Sequence, residues 1–105
     1  EPKAVTQTEA YEAGVLWARA EGFIPAPETT NALAQVVKEA RQAREEGREK
    51  TIVVSWSGHG LLDLGAYERY FAGELNDCTM SDEDLEESEA VFADYPKPQA
   101  MKSTP

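Results

Sequence analysis

The chain has 105 residues, with twenty acidic and ten basic side chains and a net charge of −10 at neutral pH. A chain of this length holds one small domain with a modest core. Its negative charge disfavours nucleic acid and anionic membrane surfaces as partners, because like charges repel.

The first predicted element is a helix that begins near Gln7. Thr6 and Glu9 have the spacing of a capping box, in which the side chains of the two residues satisfy each other's backbone N–H groups. Apolar residues then recur at helical spacing. Gly22 is expected to end the helix, because glycine adopts the left-handed conformation common at helix ends.

A proline-rich connector, residues 23–30, follows and is predicted to be extended, because residues before proline avoid the helical region. Glu28 stands at its end, just before a second helix that is predicted over about residues 30–46 and is stopped by Gly47. A carboxylate in this place stabilises the positive end of the helix dipole. Alternatively, the rigid connector directs the carboxylate into a pocket.

The stretch that organises the chain is residues 51–63. Its first half is apolar and β-branched, which predicts a strand buried on both faces, and its second half is a glycine-rich turn into a third helix, capped by Asp63 and ended by Gly73. The fold class is therefore predicted as α/β, with three helices around one central buried strand. A buried strand needs backbone partners, and no second strand is evident. Strands from another polypeptide, a second copy or a longer parent chain are expected beside it.

An acidic tail begins at residue 74. Residues 74–105 carry nine acidic and two basic side chains, so most of the net charge lies there. Ser81 and Asp84 predict a short capped helix. The final region, with its prolines at 96, 98 and 105, is predicted to be disordered. The predicted units are residues 1–73 and a partly disordered tail, 74–105.

The turn after the strand has four chemical interpretations. A hydrolase elbow needs glycine two residues before Ser57, where Ser55 stands, and a dinucleotide motif needs glycine where Asp63 stands. His59 and Cys78 show no metal-ligand spacing, so no metal is predicted. The fourth interpretation is that Ser57 meets a cofactor ring at the carboxyl end of the strand.

Three segments carry a family resemblance: residues 7–13 (QTEAYEA), 21–32 (EGFIPAPETTNA) and 54–64 (VSWSGHGLLDL). In this order and spacing they resemble the C-terminal part of tryptophan synthase beta chain, especially its type 2 branch, over about residues 5–73. The resemblance implies a piece of a fold-type-II pyridoxal-phosphate lyase that joins indole to L-serine in tryptophan biosynthesis. It also implies a homodimer.

The same resemblance implies roles for four residues. Glu28 matches the glutamate near the cofactor's phenolic oxygen and is the predicted catalytic residue. Ser57 matches the serine that hydrogen-bonds the pyridine nitrogen, and a hydroxyl leaves that nitrogen less protonated than an aspartate would. Gly58 and Gly60 are predicted cofactor-binding residues that permit close approach of the ring.

Two departures and two gaps qualify the resemblance. Asn31 stands where the family commonly has histidine, and Trp56 replaces a smaller or apolar residue. The resemblance supplies no counterpart of the family's Schiff-base lysine or of its phosphate-binding loop. The lysines, none in the family's contexts, are Lys3, Lys38, Lys50, Lys97 and Lys102.

These gaps lead to the expectation that the 105 residues alone are inactive and do not retain pyridoxal phosphate. The expected partner is the N-terminal portion of the same enzyme or a second copy of the chain. The absence of an initiator methionine favours a fragment or a processed chain. With a single cysteine and no membrane-length apolar run, a cytoplasmic location is expected. The alternative is a non-catalytic orphan domain that self-associates as an interaction module.

Overall fold

A computed structural model of the chain describes residues 2–96. It contains four helices in that range: α1 (Gln7–Glu21), α2 (Pro27–Glu45), α3 (Leu64–Phe71) and α4 (Asp82–Ala90). None of these helices is both long enough and apolar enough to cross a membrane.

The core lies where α1 packs against α2. Leu33 is completely buried there, beside Ala13 and Ala34, whose small side chains let the two helices approach closely. Five larger, partly buried side chains surround this centre: Val5, Trp17, Val37, Val54 and Trp56. The structure confirms both predicted ends of α1, since Thr6 and Glu9 form the capping box and Gly22 has a φ of 82°.

The second helix begins earlier than predicted. Its first residue is Pro27, because proline at the first helical position lacks only an N–H that would have no helical partner. Glu28 therefore lies inside the first turn of α2 rather than in the connector before it. The helix ends at Glu45, and Gly47 follows with a φ of 61°.

The predicted α/β fold class is wrong for the described residues, because residues 2–96 contain no strand or sheet. Residues 51–58 belong to no helix or strand and have no ladder partner. Exposure alternates along them, with one face resting on the helices and the other, which includes Val53, open to solvent at 91% exposure. The β-branched sequence favours an extended backbone. A ladder and a second buried face require a partner that the described part of the chain does not contain.

Helix α3 is attached to the core through aromatic rings. Tyr67 meets Tyr11 edge to face at 5.2 Å between ring centroids, and Tyr70 stacks on Tyr11 at 5.6 Å. Asp63 occupies the N-cap position, but its side chain makes no capping hydrogen bond. Gly73, with a φ of 71°, follows the end of the helix as predicted.

The acidic tail is tied to α1 at one point. The backbone N–H of Thr8 donates a hydrogen bond of 2.8 Å to the Asp77 carboxylate, and the Thr8 hydroxyl donates another. Ser81 and Asp84 form the predicted capping box of α4, which buries none of its residues. Of the predicted disordered region, the part from residue 97 onward lies outside the described residues.

Candidate functional site

The candidate site is organised where the connector meets the glycine-rich turn. The N–H of Ala26 donates to the carbonyl oxygen of Gly58 at 2.9 Å, and the N–H of Gly60 donates to the carbonyl oxygen of Ile24 at 2.8 Å. These bonds flank an isolated antiparallel bridge between Pro25 and His59. The turn is thereby fixed relative to the start of α2.

Gly60 has a packing role of its own. A Cβ atom at this position would lie 2.4 Å from the carbonyl oxygen of Pro25 and 2.7 Å from the Ile24 side chain. At Gly58 it would lie 3.3 Å from the Cβ of Ala26. The glycines therefore let the turn approach the connector. Their predicted contact with a cofactor ring stays a prediction.

The side chain of Ser57 is hydrogen-bonded to a buried threonine, Thr29. The Thr29 hydroxyl oxygen lies 2.8 Å from the Ser57 hydroxyl oxygen and accepts a 3.1 Å hydrogen bond from the N–H of Gly58. Thr29 is 1% exposed, whereas Ser57 lies at the surface. The arrangement fixes the hydroxyl of an exposed serine residue at a defined place.

The connector is also fixed from the side of α3. The Tyr67 hydroxyl donates a buried hydrogen bond of 2.6 Å to the carbonyl oxygen of Pro25. Burial, followed by the nearby Tyr11 and Asp63, raises the pKa of Tyr67 to about 12. Tyr67 is therefore a neutral hydrogen-bond donor at physiological pH.

Glu28 lies on the exposed side of the α2 start. Its side chain lines an open cavity of about 380 Å³ together with Tyr11 and Asn31. Burial raises the pKa of Tyr11, and the charges of Glu28 and Asp63 raise it further. The negative charge of Glu28 therefore favours the neutral form of the Tyr11 hydroxyl.

A second, more apolar cavity of about 490 Å³ lies between α1 and α3. Its wall includes Val15, Ile24, Tyr67 and Phe71. Neither Ser57 nor Glu28 lines this cavity. The lining of this cavity is mostly apolar. It is therefore suited to contact with another apolar surface and not to the polar chemistry predicted for Ser57 and Glu28.

No family model matches the chain. It is 53% identical over 73 residues to tryptophan synthase beta chain 2 of Methanothermobacter thermautotrophicus, covering 70% of this chain and 17% of the relative. It is 52% identical over 81 residues to tryptophan synthase beta chain 2 of Pyrococcus abyssi, covering 77% of this chain and 18% of the relative. The chain is homologous to tryptophan synthase beta chains. This confirms the resemblance found in the three sequence segments.

The match to tryptophan synthase beta chain covers only part of the family's length. A third relative, the tryptophan synthase beta chain of Thermococcus gammatolerans, is 51% identical over 76 residues, which are 72% of this chain and 17% of the relative. The chain thus spans less than a fifth of the relatives it matches.

Two of the lysines in this beta-chain homologue form ion pairs with glutamates. Lys38 forms an ion pair of 3.0 Å with Glu9, and Lys50 pairs with Glu39. Lys97 and Lys102 lie outside the described residues. Within residues 2–96, no three His, Cys, Asp or Glu side chains are grouped to hold a metal ion.

The structure adds Thr29 to the residues predicted from sequence. It stands between Glu28 and the turn, and no hydrogen bond joins the side chains of Glu28 and Ser57 directly. A signal for Thr29 existed in the sequence. Thr29 and Thr30 open the buried face that Leu33 continues, so a threonine hydroxyl there needs a polar partner.

Proposed function

We propose that this chain supplies the cofactor-ring contact of a pyridoxal-phosphate-dependent tryptophan synthase of the beta-chain type, which makes L-tryptophan from L-serine and indole. The observation that carries the proposal is the position of Ser57, an exposed residue at the end of residues 51–57 whose hydroxyl is hydrogen-bonded to the buried Thr29. The identity of about half the aligned residues with named beta chains supports it.

The residues present fit one end of the cofactor. A hydroxyl offers one proton and two lone pairs. The Ser57 hydroxyl has a single partner in the described chain, Thr29, so it keeps bonding capacity for a pyridine nitrogen. The conjugated ring of pyridoxal phosphate, when bound, accepts electrons from the bonds of the amino-acid substrate.

The proposed roles follow the sequence prediction. Ser57 binds the ring nitrogen, and Gly58 and Gly60 bring the backbone of the turn beside the ring. Glu28 is the proposed catalytic residue and exchanges a proton near the phenolic oxygen of the cofactor. The open cavity that Glu28 shares with Tyr11 and Asn31 supports access by a small polar substrate.

Residues 51–56 support a proposal about the partner. Their backbone N–H and C=O groups make no hydrogen bond to other described residues. Since unpaired groups of this kind form a template for strand addition, we infer that strands from the N-terminal portion of the enzyme, or from a second copy, pair with them. The assembled enzyme is proposed to be a cytoplasmic homodimer. Residues 1–73 are proposed to be the enzymatic unit and residues 74–105 its tail. The 105-residue chain by itself is proposed to be inactive.

A chimaeric enzyme tests this function. The matching stretch of the Pyrococcus abyssi beta chain is replaced by the homologous residues of this chain, and pyridoxal-phosphate binding and tryptophan formation are measured. Ser57→Ala is expected to weaken cofactor binding by up to about tenfold, because a hydrogen bond between neutral groups contributes about 0.5–1.5 kcal/mol. Ser57→Asp is expected to shift the cofactor spectrum towards the protonated ring nitrogen.

Ser55→Ala is the matched control. Ser55 lies two residues earlier in the same segment, is also exposed, and makes no hydrogen bond to Thr29. If Ser57→Ala binds the cofactor as well as Ser55→Ala does, Ser57 has no role at the ring. A chimaera that folds but binds no pyridoxal phosphate would overturn the proposed function itself.

A self-associating interaction module is the second candidate. Exposed apolar side chains such as Leu62 (89%) and Phe71 (64%) favour it, together with the unpaired segment 51–56. This candidate predicts a stable oligomer of the 105-residue chain without cofactor. Analytical ultracentrifugation over a range of concentrations distinguishes the two, since a monomeric chain excludes the module.

A further inference from the structure

One side of α1 lines an open cavity of about 480 Å³, the α1 groove. The α1 residues in its wall are Glu12, Val15, Leu16 and Arg19. They lie on one face of the helix, because residues three, four and seven positions apart are neighbours along it. Leu16 is 47% exposed. This apolar surface is stabilised when another apolar segment covers it.

The rim of the α1 groove is positively charged. Arg19 and, from α2, Arg41 both line it, and within residues 2–96 neither forms an ion pair. Glu12 is the only acidic residue of the lining, so two arginines against one glutamate leave one positive charge. Tyr70 and Phe71 of α3 complete the wall. The groove therefore fits a segment that carries both negative charge and apolar side chains.

The acidic tail has this composition. Residues 82–94 contain seven acidic side chains and no basic one. Among them stand two large apolar residues, Leu85 in α4 and Phe92 just after it, which are 44% and 63% exposed. The tail thus complements the α1 groove in charge and in apolar surface.

Helix α4 has little stability of its own. It has nine residues, and isolated helices this short are marginal in water. Like charges stand four positions apart at Asp82 and Glu86, and again at Glu83 and Glu87, which destabilises a helix. No residue of α4 is buried. The helix would therefore be stabilised by a surface that neutralises its charge and covers its apolar side chains.

The tail is anchored at the start of the face that lines the groove. Asp77 accepts two hydrogen bonds from Thr8, and Thr8 precedes Glu12 by four residues, so it lies on the same face of α1. At 1.5 Å per residue, α1 runs about 17 Å from Thr8 to Arg19, and α4 is about 14 Å long. Residues 78–81 join the anchor to α4, and loops of two to five residues suffice to connect antiparallel helices. Helix α4 is thus able to lie along the groove.

We propose that the acidic tail is a strap that folds back at residues 78–81 and lays α4 in the α1 groove. Leu85 and Phe92 cover the apolar floor, and carboxylates of α4 lie beside Arg19 and Arg41. The structure shows the strap open. Closure hides apolar surface of the unassembled chain and so limits its aggregation. This inference goes beyond the proposed function, because it involves no residue of the proposed cofactor site.

Paramagnetic NMR of the 105-residue chain detects the closed strap. The single cysteine is moved onto α4 by Cys78→Ser and Glu87→Cys, and a nitroxide label is attached to it. Position 87 faces away from Leu85, because two residues turn a helix by roughly 200°. At low salt the label is expected to remove most of the amide signal intensity of Leu16 and Arg19. Full intensity at both amides would overturn the proposal.

Substitutions of arginine test whether charge holds the strap. Arg19→Gln and Arg41→Gln each remove one positive charge from the groove, and each is expected to lower the ratio of closed to open chains by up to about fivefold, the upper limit for an exposed ion pair. Arg44→Gln is the matched control, because Arg44 is an exposed arginine of α2 that does not line the groove. It is expected to leave the ratio unchanged. Equal ratios in the three variants would overturn the proposal.

Two measurements need no substitution in the groove. Sodium chloride at 1 M shortens the screening length to about 3 Å, so it is expected to restore the amide intensities of Leu16 and Arg19. Intensities that do not respond to salt would overturn the proposal. A mixture of nitroxide-labelled chain and isotope-labelled chain without nitroxide is expected to show no loss of intensity. Loss in this mixture equal to that in the singly labelled chain would show docking between two copies and would overturn a strap within one chain.

Discussion

Two parts of the stretch 51–63, residues 51–56 and residues 57–60, differ in how many hydrogen bonds hold them. In residues 51–56 the backbone belongs to no helix or strand and makes no hydrogen bond to other described residues. In residues 57–60 the backbone and side chains are bonded to the connector and to Thr29 at several points. Residues 51–56 therefore lack hydrogen-bond partners in the described chain, whereas residues 57–60 have them.

The first part depends mainly on local sequence preference, and the second part depends on tertiary contacts. The β-branched run favours an extended conformation without any partner, and its inner face rests on the core through Val54 and Trp56. The turn, in contrast, depends on atoms more than thirty residues away, such as the carbonyl oxygens of Ile24 and Pro25. Substitutions in the two parts should accordingly differ in effect.

The largest effect is expected from Gly60→Ala in residues 57–60. The added methyl would lie 2.4 Å from the Pro25 carbonyl oxygen, so the turn or the connector must move. Overpacking of this kind typically costs about 1–3 kcal/mol and occasionally more, and here the clash is with backbone, so we expect about 3 kcal/mol or more. Urea unfolding of the 105-residue chain, followed by tryptophan fluorescence, measures this loss.

Gly65→Ala is the control for this substitution. Gly65 lies in α3, and a Cβ atom there would meet nothing within 4 Å. Replacing glycine by alanine inside an exposed helix is expected to stabilise by up to about 1 kcal/mol. A loss at Gly60 no greater than the change at Gly65 would show that the turn does not press on the connector.

The next largest effect is expected from Tyr67→Phe. This change removes the donor that satisfies the buried Pro25 carbonyl, and an unsatisfied buried acceptor costs roughly 1–3 kcal/mol. Tyr70→Phe is the control, because the Tyr70 ring also stacks on Tyr11 but its hydroxyl makes no hydrogen bond in the described structure. Thermal unfolding at neutral pH is expected to separate the two variants. Equal melting temperatures would contradict a supporting role for the Tyr67 hydroxyl.

The same hydroxyl gives the wild-type chain a dependence on alkaline pH. The folded pKa of Tyr67 is raised to about 12 from an unfolded value of 10.0. The neutral form is therefore favoured by folding, and its contribution is complete below the unfolded pKa and is lost as pH rises from about 10 towards 12. Denaturant unfolding across this range should show a decline that is smaller in Tyr67→Phe, in which only the raised pKa of Tyr11 remains. A variant that declines as steeply as wild type would assign the loss to other groups.

The parts of the fold visible in the sequence were those with local signals. The capping boxes of α1 and α4 and the terminal glycine of α1 are each encoded within a few neighbouring residues, and the structure confirms them. The sequence predicts a later start for α2 than Pro27, because the prolines also favour an extended connector. The fixed φ of proline suits either an extended segment or a first helical position.

The nonlocal parts could not be read in the same way. Burial of residues 51–56 on both faces needs a second packing surface, and sequence pattern cannot show whether the chain in hand contains it. Glu28 and Ser57 were assigned through family resemblance. For Thr29 the sequence signals only that a threonine at the start of a buried helix face needs a polar partner, because the partners, Ser57 and Gly58, approach it only through the fold. The contact of Asp77 with Thr8 escapes notice for the same reason, since 69 residues separate them.

A local effect is expected at this tail contact. Hydrogen bonds from the side chain and backbone of Thr8 lower the pKa of Asp77. The contact is therefore complete above the unfolded pKa and is lost as pH falls through the folded one. Asp77→Asn should increase amide exchange at Thr8 and proteolytic cleavage within residues 74–81. Asp94→Asn, a matched change elsewhere in the tail, should alter neither. Tail cleavage that is equal in both variants would contradict the contact.

The smallest effect is expected in residues 51–56. Val53 is 91% exposed, so Val53→Thr should change the free energy of unfolding of the 105-residue chain by less than about 0.5 kcal/mol. Val54→Thr should cost about 1 kcal/mol or more, because it places a hydroxyl against the core. Equal costs in this chain would contradict one-sided packing.

In the chimaeric enzyme the comparison becomes a test of assembly. If Val53→Thr there costs as much as Val54→Thr, the outer face is covered by the rest of the enzyme, and the two-sided burial typical of such a β-branched run arises only in the assembled protein.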